Sequence, residues 1–213
     1  MILYFDIETA PIYSWSKLPK NLKKIWEERY CKNIWEVKPS EWYYEKAGLY
    51  AEYSRVLCIT MCFQHKDKFI TKTLHNDDES ELLEEFYDTI GKRTDITMAW
   101  FNIKNFDMPF LCKRFVIQSK KIPYQINNIG KKPWEIAAID IMEDWKFAWY
   151  MWASLNLICE ALWMESPKWW DVDGKNMWKY YHSKDFDIKK VVEYCEKDVA
   201  ATRKIHSILK YHT

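Results

Sequence analysis

The period of hydrophobic and polar positions changes several times along the chain, and each change marks a predicted element. Residues 1–8 (MILYFDIE) form a nearly unbroken apolar and β-favouring run. Such a run predicts a central strand buried on both faces rather than a half-exposed one. Residues 55–63 (RVLCITMCF) and 68–74 (KFITKTL) predict two further strands, with a tight turn over 64–67 and an antiparallel meander as the consequence. From 79 to 90 the period becomes helical, with Leu82, Leu83, Phe86 and Ile90 on one face, cap candidates at 76–78 and Gly91 just beyond the end. Residues 96–101 (ITMAWF) and 136–141 (IAAIDI) predict a fourth and a fifth strand. Helices are predicted from Pro109 to about 119, from 154 to 163, and from 188 to about 210, the last capped by Asp185 or Asp187. After three strands the order is helix, strand, helix, strand, helix, which predicts crossover connections on a mixed sheet.

Two stretches fall outside this plan. Residues 10–54 hold ten aromatics and an acid-free run with Lys17, Lys20, Lys23 and Lys24, and residues 167–181 hold three Trp and three Lys. The first is read as a helical insertion in one domain spanning 1–213. Two readings of its composition stay open: a surface that tracks and stacks a single strand, or an amphipathic helical pair that packs its rings and solvates its lysines.

Composition narrows the class. A chain of 213 residues can bury roughly 70% of its unfolded surface and needs no disulfide staples. The longest uncharged run, 147–159, is 13 residues, short of the roughly 18 needed to span a bilayer. No membrane partner is expected. The six cysteines form no C-x-x-C pair and the amino terminus lacks a basic leader, so a reducing, cytoplasmic setting is expected. A net charge of +1 argues against a duplex binder driven by its overall field, and leaves room for a local cleft. Thirteen Trp beside 14 Tyr and 10 Phe fit an aromatic core, a stacking surface, or both.

Four carboxylates and one phenol carry the candidate chemistry. Asp6 and Glu8 are two apart on a buried strand, so both point to one face, where they repel and lose hydration unless a cation or a proton lies between them. D-x-E alone is weak, and Asp77/Glu79 repeats it at the start of a helix expected on the surface, where acids suit the helix dipole. Tyr194 and Asp198 are one turn apart inside the last predicted helix and share a face, whereas Tyr181/Asp185 belongs to the approach to it. The string NIKNFD, from Asn102 to Asp107, is far rarer by chance and sits at a strand-to-helix junction, where α/β proteins place ligands.

FDIET, FNIKNFDMPFL and YCEKD, in that order, resemble the three motifs of the DEDD 3′→5′ exonuclease superfamily, in the subtype with tyrosine in the third motif. The histidine subtype would place His five residues before the last Asp, where this chain has Glu193. The likeness is to the proofreading domain of family B DNA polymerases and its stand-alone relatives. It implies a ribonuclease H-like α/β fold, a five-stranded mixed sheet of order 3-2-1-4-5 flanked by helices. It also implies that Asp6, Glu8, Asp107 and Asp198 hold two divalent ions, Mg²⁺ or Mn²⁺ as suits oxygen ligands, and that Tyr194 orients the attacking water. Thr9, Asn102 and Phe106 are the implied contacts to the terminal nucleotides, with Ser154, Leu155 and Lys168 as looser candidates near the scissile phosphate. Trp100 departs from the small residue common before the aromatic-Asn step, which bears on groove shape.

The implied activity is hydrolysis of single-stranded 3′ ends to nucleoside monophosphates, with DNA favoured over RNA. Proofreading with a DNA polymerase in trans, repair and end trimming all stay open. The competing readings are an RNA-directed 3′ exonuclease and a non-catalytic nucleic-acid or polymerase-binding module on the same scaffold.

Overall fold

The computed structural model describes residues 1–31, 37–65, 68–91, 93–166, 174 and 176–212. The first strand, β1 (Ile2–Pro11), is buried along almost its whole length, as its unbroken apolar pattern requires. Two helices follow, α1 (Lys20–Tyr30) and α2 (Pro39–Lys46), and then the meander β2 (Ser54–His65) and β3 (Lys68–His75). The expected turn at 64–67 lies partly outside the described residues. Next come α3 (Glu79–Ile90), β4 (Thr97–Trp100), α4 (Asp107–Ile117), β5 (Ala138–Asp140) and α5 (Ile141–Trp145). The chain ends in α6 (Leu155–Ala161), α7 (Met177–Tyr181) and α8 (Ile188–His212).

The five strands form one sheet in the order β3-β2-β1-β4-β5, as expected. β1 pairs antiparallel with β2 and parallel with β4, which pairs parallel with β5, so the sheet is mixed. Alternation along β1 sorts its side chains by chemistry. Leu3, Phe5 and Ile7 join the main core with Leu83 and Phe86 of α3 and Phe115 of α4. On the opposite face Tyr4 and Asp6 meet α8, through a 2.8 Å hydrogen bond of the Tyr4 hydroxyl with His206 Nδ1 and a contact of Asp6 with Cys195. α8 buries Tyr194, Cys195, Asp198, Thr202, Ile205 and His206 at spacings of three and four, one continuous stripe laid against β1 and β2. Asp187, one of the two expected caps, accepts from the Lys189 N–H at 3.0 Å.

α3 is capped by Asp78, which accepts from the Ser80 N–H at 2.7 Å. Glu79 corrects the expectation of a surface acid held by the helix dipole. It is buried, and its carboxylate takes Arg114 Nε at 2.9 Å, Arg114 Nη2, Gln118 Nε2 at 2.9 Å and the Val56 N–H at 2.8 Å. The remaining Arg114 nitrogen donates to the Ala51 carbonyl at 2.7 Å. A guanidinium carried into the core on apolar α4 demands such a partner, which draws Glu79 inward.

Helix ends shift for local reasons. α4 starts at Asp107, two residues before Pro109, because the missing N–H of a proline costs nothing in the first turn. α6 stops before Trp163, whose backbone is left-handed (φ 54°), with the Met164 N–H closing on the Cys159 carbonyl at 2.9 Å. Within residues 10–54 the rings are largely spent on one another: Trp26 is fully buried, with Tyr30, Tyr43, Tyr50 and Tyr53 at centroid distances of 4.8, 5.1, 5.5 and 5.0 Å. Trp26, Tyr43 and Tyr53 are closed to bases, while Tyr30 and Tyr50 stay half-buried. No helix among the described residues is long and apolar enough to cross a membrane.

Candidate active site

Asp6 and Glu8 stand on the α8-facing side of β1, paired with Thr60 and Cys58 of β2, and the register shifts immediately after Glu8. One ligand atom each from Asp6, Glu8 and Cys195 lie within 4.8 Å of one another. Burial holds the Asp6 carboxyl well above the usual carboxylate range, and the charges of Glu8, Asp107 and Asp198 push it further. The Cys195 thiol opposes this by donating to Asp6 Oδ2 at 3.3 Å.

Asp107 opens α4, where the helix N-terminus favours a negative charge. Neither of its buried oxygens has a protein partner in hydrogen-bonding geometry. Burial raises its pKa well above the ordinary value, opposed by the nearby backbone N–H groups of Asp107 and Ile7. Tyr194 and Asp198 come from successive turns of α8 and are hydrogen-bonded to each other. Burial, followed by the charges of Glu8, Asp198 and Asp6, pushes the Tyr194 phenol far up, so it stays protonated.

Four of these groups border a cleft of about 520 Å³. Asp6, Glu8, Tyr194 and Asp198 form its acidic wall, while Asn102, Phe106, Ser154 and Leu155 face it from the loop after β4 and the start of α6. Asp107 is more deeply buried and does not line the cleft, although its charge is felt at Asp6. Thr9 also lies outside the lining; past the register shift, its hydroxyl donates to the Gly48 carbonyl at 2.8 Å. Ser154 caps α6, accepting from the Leu157 N–H at 3.3 Å, so helix start and cleft wall coincide there. Lys168 lies outside the described residues.

Asn102 is left-handed (φ 64°), a conformation asparagine tolerates better than most residues. Asp140 at the end of β5 fixes it, accepting the Asn102 N–H at 2.9 Å and the Lys104 N–H at 3.3 Å while capping α5 through the Met142 N–H at 3.1 Å. Phe106 packs on Phe110 with centroids 5.5 Å apart, leaving part of its ring to the cleft.

Sequence reasoning missed Asp140, Cys195, Met142 and Trp152. Asp140 had a signal, since Asp followed three residues later by Glu143 is a capping-box pattern. Cys195 sits inside the third motif with nothing to separate it from a packing thiol, and Met142 and Trp152 carry no pattern at all.

Chemically, the site gathers hard oxygen donors that repel one another, with two buried oxygens on Asp107 that no protein group meets in good hydrogen-bonding geometry. A divalent cation satisfies both conditions, and the residues present fit one.

Two solved structures share the fold. The family B DNA polymerase from the hyperthermophilic archaeon Pyrobaculum calidifontis matches 98% of this chain at 16% identity and a TM-score of 0.57. E. coli Exonuclease I, in complex with a dT13 oligonucleotide, matches 100% of it at 11% identity and a TM-score of 0.52. The chain spans 24% of the polymerase and 41% of the exonuclease, and the shared architecture is the ribonuclease H-like one. No curated protein sequence matches the chain. Residues 49–209 match the family described as a predicted 3′-5′ exonuclease related to the exonuclease domain of PolB, and the chain belongs to that family.

Proposed function

We propose that this chain is a metal-dependent 3′→5′ exonuclease of the DEDD type, tyrosine subtype, that hydrolyses single-stranded DNA 3′ ends to nucleoside monophosphates. One observation carries the reading: four carboxylates from three separate elements converge in one buried, mutually repulsive cluster beside an open cleft. A fold that gathers like charges in this way is costly without a cation, and such clusters mark functional sites.

Asp6, Glu8, Asp107 and Asp198 would hold two divalent ions, Mg²⁺ or Mn²⁺. When bound, such ions polarise a phosphate and acidify a water. The chain's own residues do the rest. Tyr194, kept protonated by its surroundings, orients the attacking water as a hydrogen-bonding group and does not serve as a base. Asn102 and Phe106 hold the terminal nucleotide from the opposite wall, one by its amide and the other by its ring face. Thr9 donates to a substrate only by giving up its bond to Gly48, and can still accept from one while keeping it. Residues 10–54 are an insertion in a single exonuclease domain that braces the far end of β1. Proofreading or repair alongside a DNA polymerase, in trans, is a use such an activity would serve.

The test is a gel comparison of 5′-labelled single-stranded DNA and RNA in Mg²⁺ and in EDTA. A ladder shortening from the 3′ end on DNA, in Mg²⁺ only, supports the reading. Shortening of RNA alone reassigns the substrate, and intact DNA and RNA in Mg²⁺ overturn catalysis.

A further inference from the structure

Between α5 and α6 the chain carries an aromatic segment that the core does not use. Trp149, Tyr150 and Trp152 are 62%, 78% and 67% exposed, and Phe147 and Met151 are exposed beside them. Contiguous exposed rings of this kind exceed what a folded surface ordinarily leaves open. The backbone enters the segment through two consecutive left-handed non-glycine residues, Phe147 (φ 45°) and Ala148 (φ 65°). Both are energetically disfavoured, and no burial of the rings compensates them. At its other end the segment joins the candidate active site, since Trp152 lines the same cleft as Asp6 and Tyr194.

We propose that Trp149, Tyr150 and Trp152 form a stacking platform for the unpaired bases that lie upstream of the 3′-terminal nucleotide. This rests on the reading of the cleft as an exonuclease site. Continuity selects the occupant, because a strand whose end enters the cleft has Trp152 on its way out. Charge agrees: residues 145–159 contain Lys146 and no acid, so a polyanion meets no repulsion along the segment. So does chemistry, because indole and phenol rings offer flat faces to any base. Trp149 and Tyr150 already lie ring to ring, centroids 4.9 Å apart and planes inclined by 39°.

Equilibrium binding, measured by fluorescence anisotropy in EDTA, tests the platform independently of hydrolysis. The probes are dT8 and a dT8 whose upstream residues are abasic, against the wild type, Trp149→Ala, Trp152→Ala and the double variant. Each loss is expected to weaken dT8 binding about tenfold. The wild type should bind the abasic strand at least as weakly as the double variant binds dT8, and the double variant, left with Tyr150 alone, should distinguish the two strands far less than the wild type does. Melting of the double variant near the wild-type temperature separates lost stacking from lost folding. Equal affinities of wild type and double variant for dT8 overturn the proposal, as does an equal loss on both strands. A self-associating wild type that the double variant makes monomeric, with unchanged dT8 affinity, gives the surface to a second copy and also overturns it. Base-dependent binding without nucleotide release in Mg²⁺ leaves the platform standing and removes the exonuclease reading; release without base dependence does the reverse.

Discussion

Cys195 places its thiol 3.3 Å from Oδ2 of Asp6 and donates to it. Burial, then the neighbouring Cys58 thiol and the charges of Asp6 and Glu8, keeps this cysteine protonated, so it acts as a donor and not as a nucleophile. The thiol thus biases which Asp6 oxygen is open to a cation. Cys195→Ala removes a hydrogen bond worth about 1 kcal/mol, and weakens Mg²⁺ dependence of activity about fivefold. Cys195→Ser keeps the donor and should stay within about twofold of wild type. Mg²⁺ titrations of initial rate check both.

Asp140 is a positioning residue for Asn102. Its carboxylate holds two loop N–H groups and caps α5, so Asp140→Ala releases all of them at once. The expected cost is about 1–2 kcal/mol of stability, read in urea, together with a higher KM for oligonucleotides. Asp140→Asn retains an acceptor and should recover most of the KM. An unchanged KM in the alanine variant would separate Asn102 from substrate binding.

The Arg114–Glu79 pair locks α3 and α4 to the start of β2. Arg114→Met leaves a buried carboxylate without its counter-charge and should cost about 3–5 kcal/mol. Adding Glu79→Leu to it should return part of that loss, since both charges are then gone. Denaturant midpoints of the single and double variants measure the difference.

Proton linkage at the acidic cluster has a definite sign. Asp6 and Asp107 have folded-state pKa values raised above the unfolded value of about 3.9, so between the two values the folded chain holds protons that the unfolded chain has released. Their contribution is therefore favourable at low pH and is lost as pH rises through the raised folded values. Metal-free protein should melt lower at pH 8 than Asp107→Asn does, with the gap closing toward pH 5. Mg²⁺ at about 100 times its Kd should restore about 2.7 kcal/mol at pH 8, and less at pH 5, where protons compete. Melting curves in EDTA and in Mg²⁺ across this range are the check; a wild type that melts above Asp107→Asn in EDTA at pH 8 would contradict it.

The strands and helices that position the cluster were legible because their periods are strict. The unbroken run at the amino terminus identified a central strand, and two residues of separation put Asp6 and Glu8 on one face of it. One helical turn did the same for Tyr194 and Asp198. Glu79 was not legible, because its fate depends on Arg114, 35 residues away in sequence, and nothing local distinguishes a dipole-stabilised acid from a buried partner. The aromatics of residues 10–54 and the exposed rings near Trp152 look alike as composition. Only tertiary packing separates Trp26, closed inside a ring cluster, from Trp152, open on the cleft.

The most direct test is release of mononucleotides from a 3′-labelled single strand by the wild type, Asp6→Ala and Tyr194→Phe, each with Mg²⁺ and with EDTA. The wild type should liberate nucleoside monophosphate only with Mg²⁺, Tyr194→Phe should retain activity lowered on the order of 10²-fold, and Asp6→Ala should release none. Undiminished Mg²⁺-dependent release by Asp6→Ala would contradict the assignment of the cluster as the catalytic site.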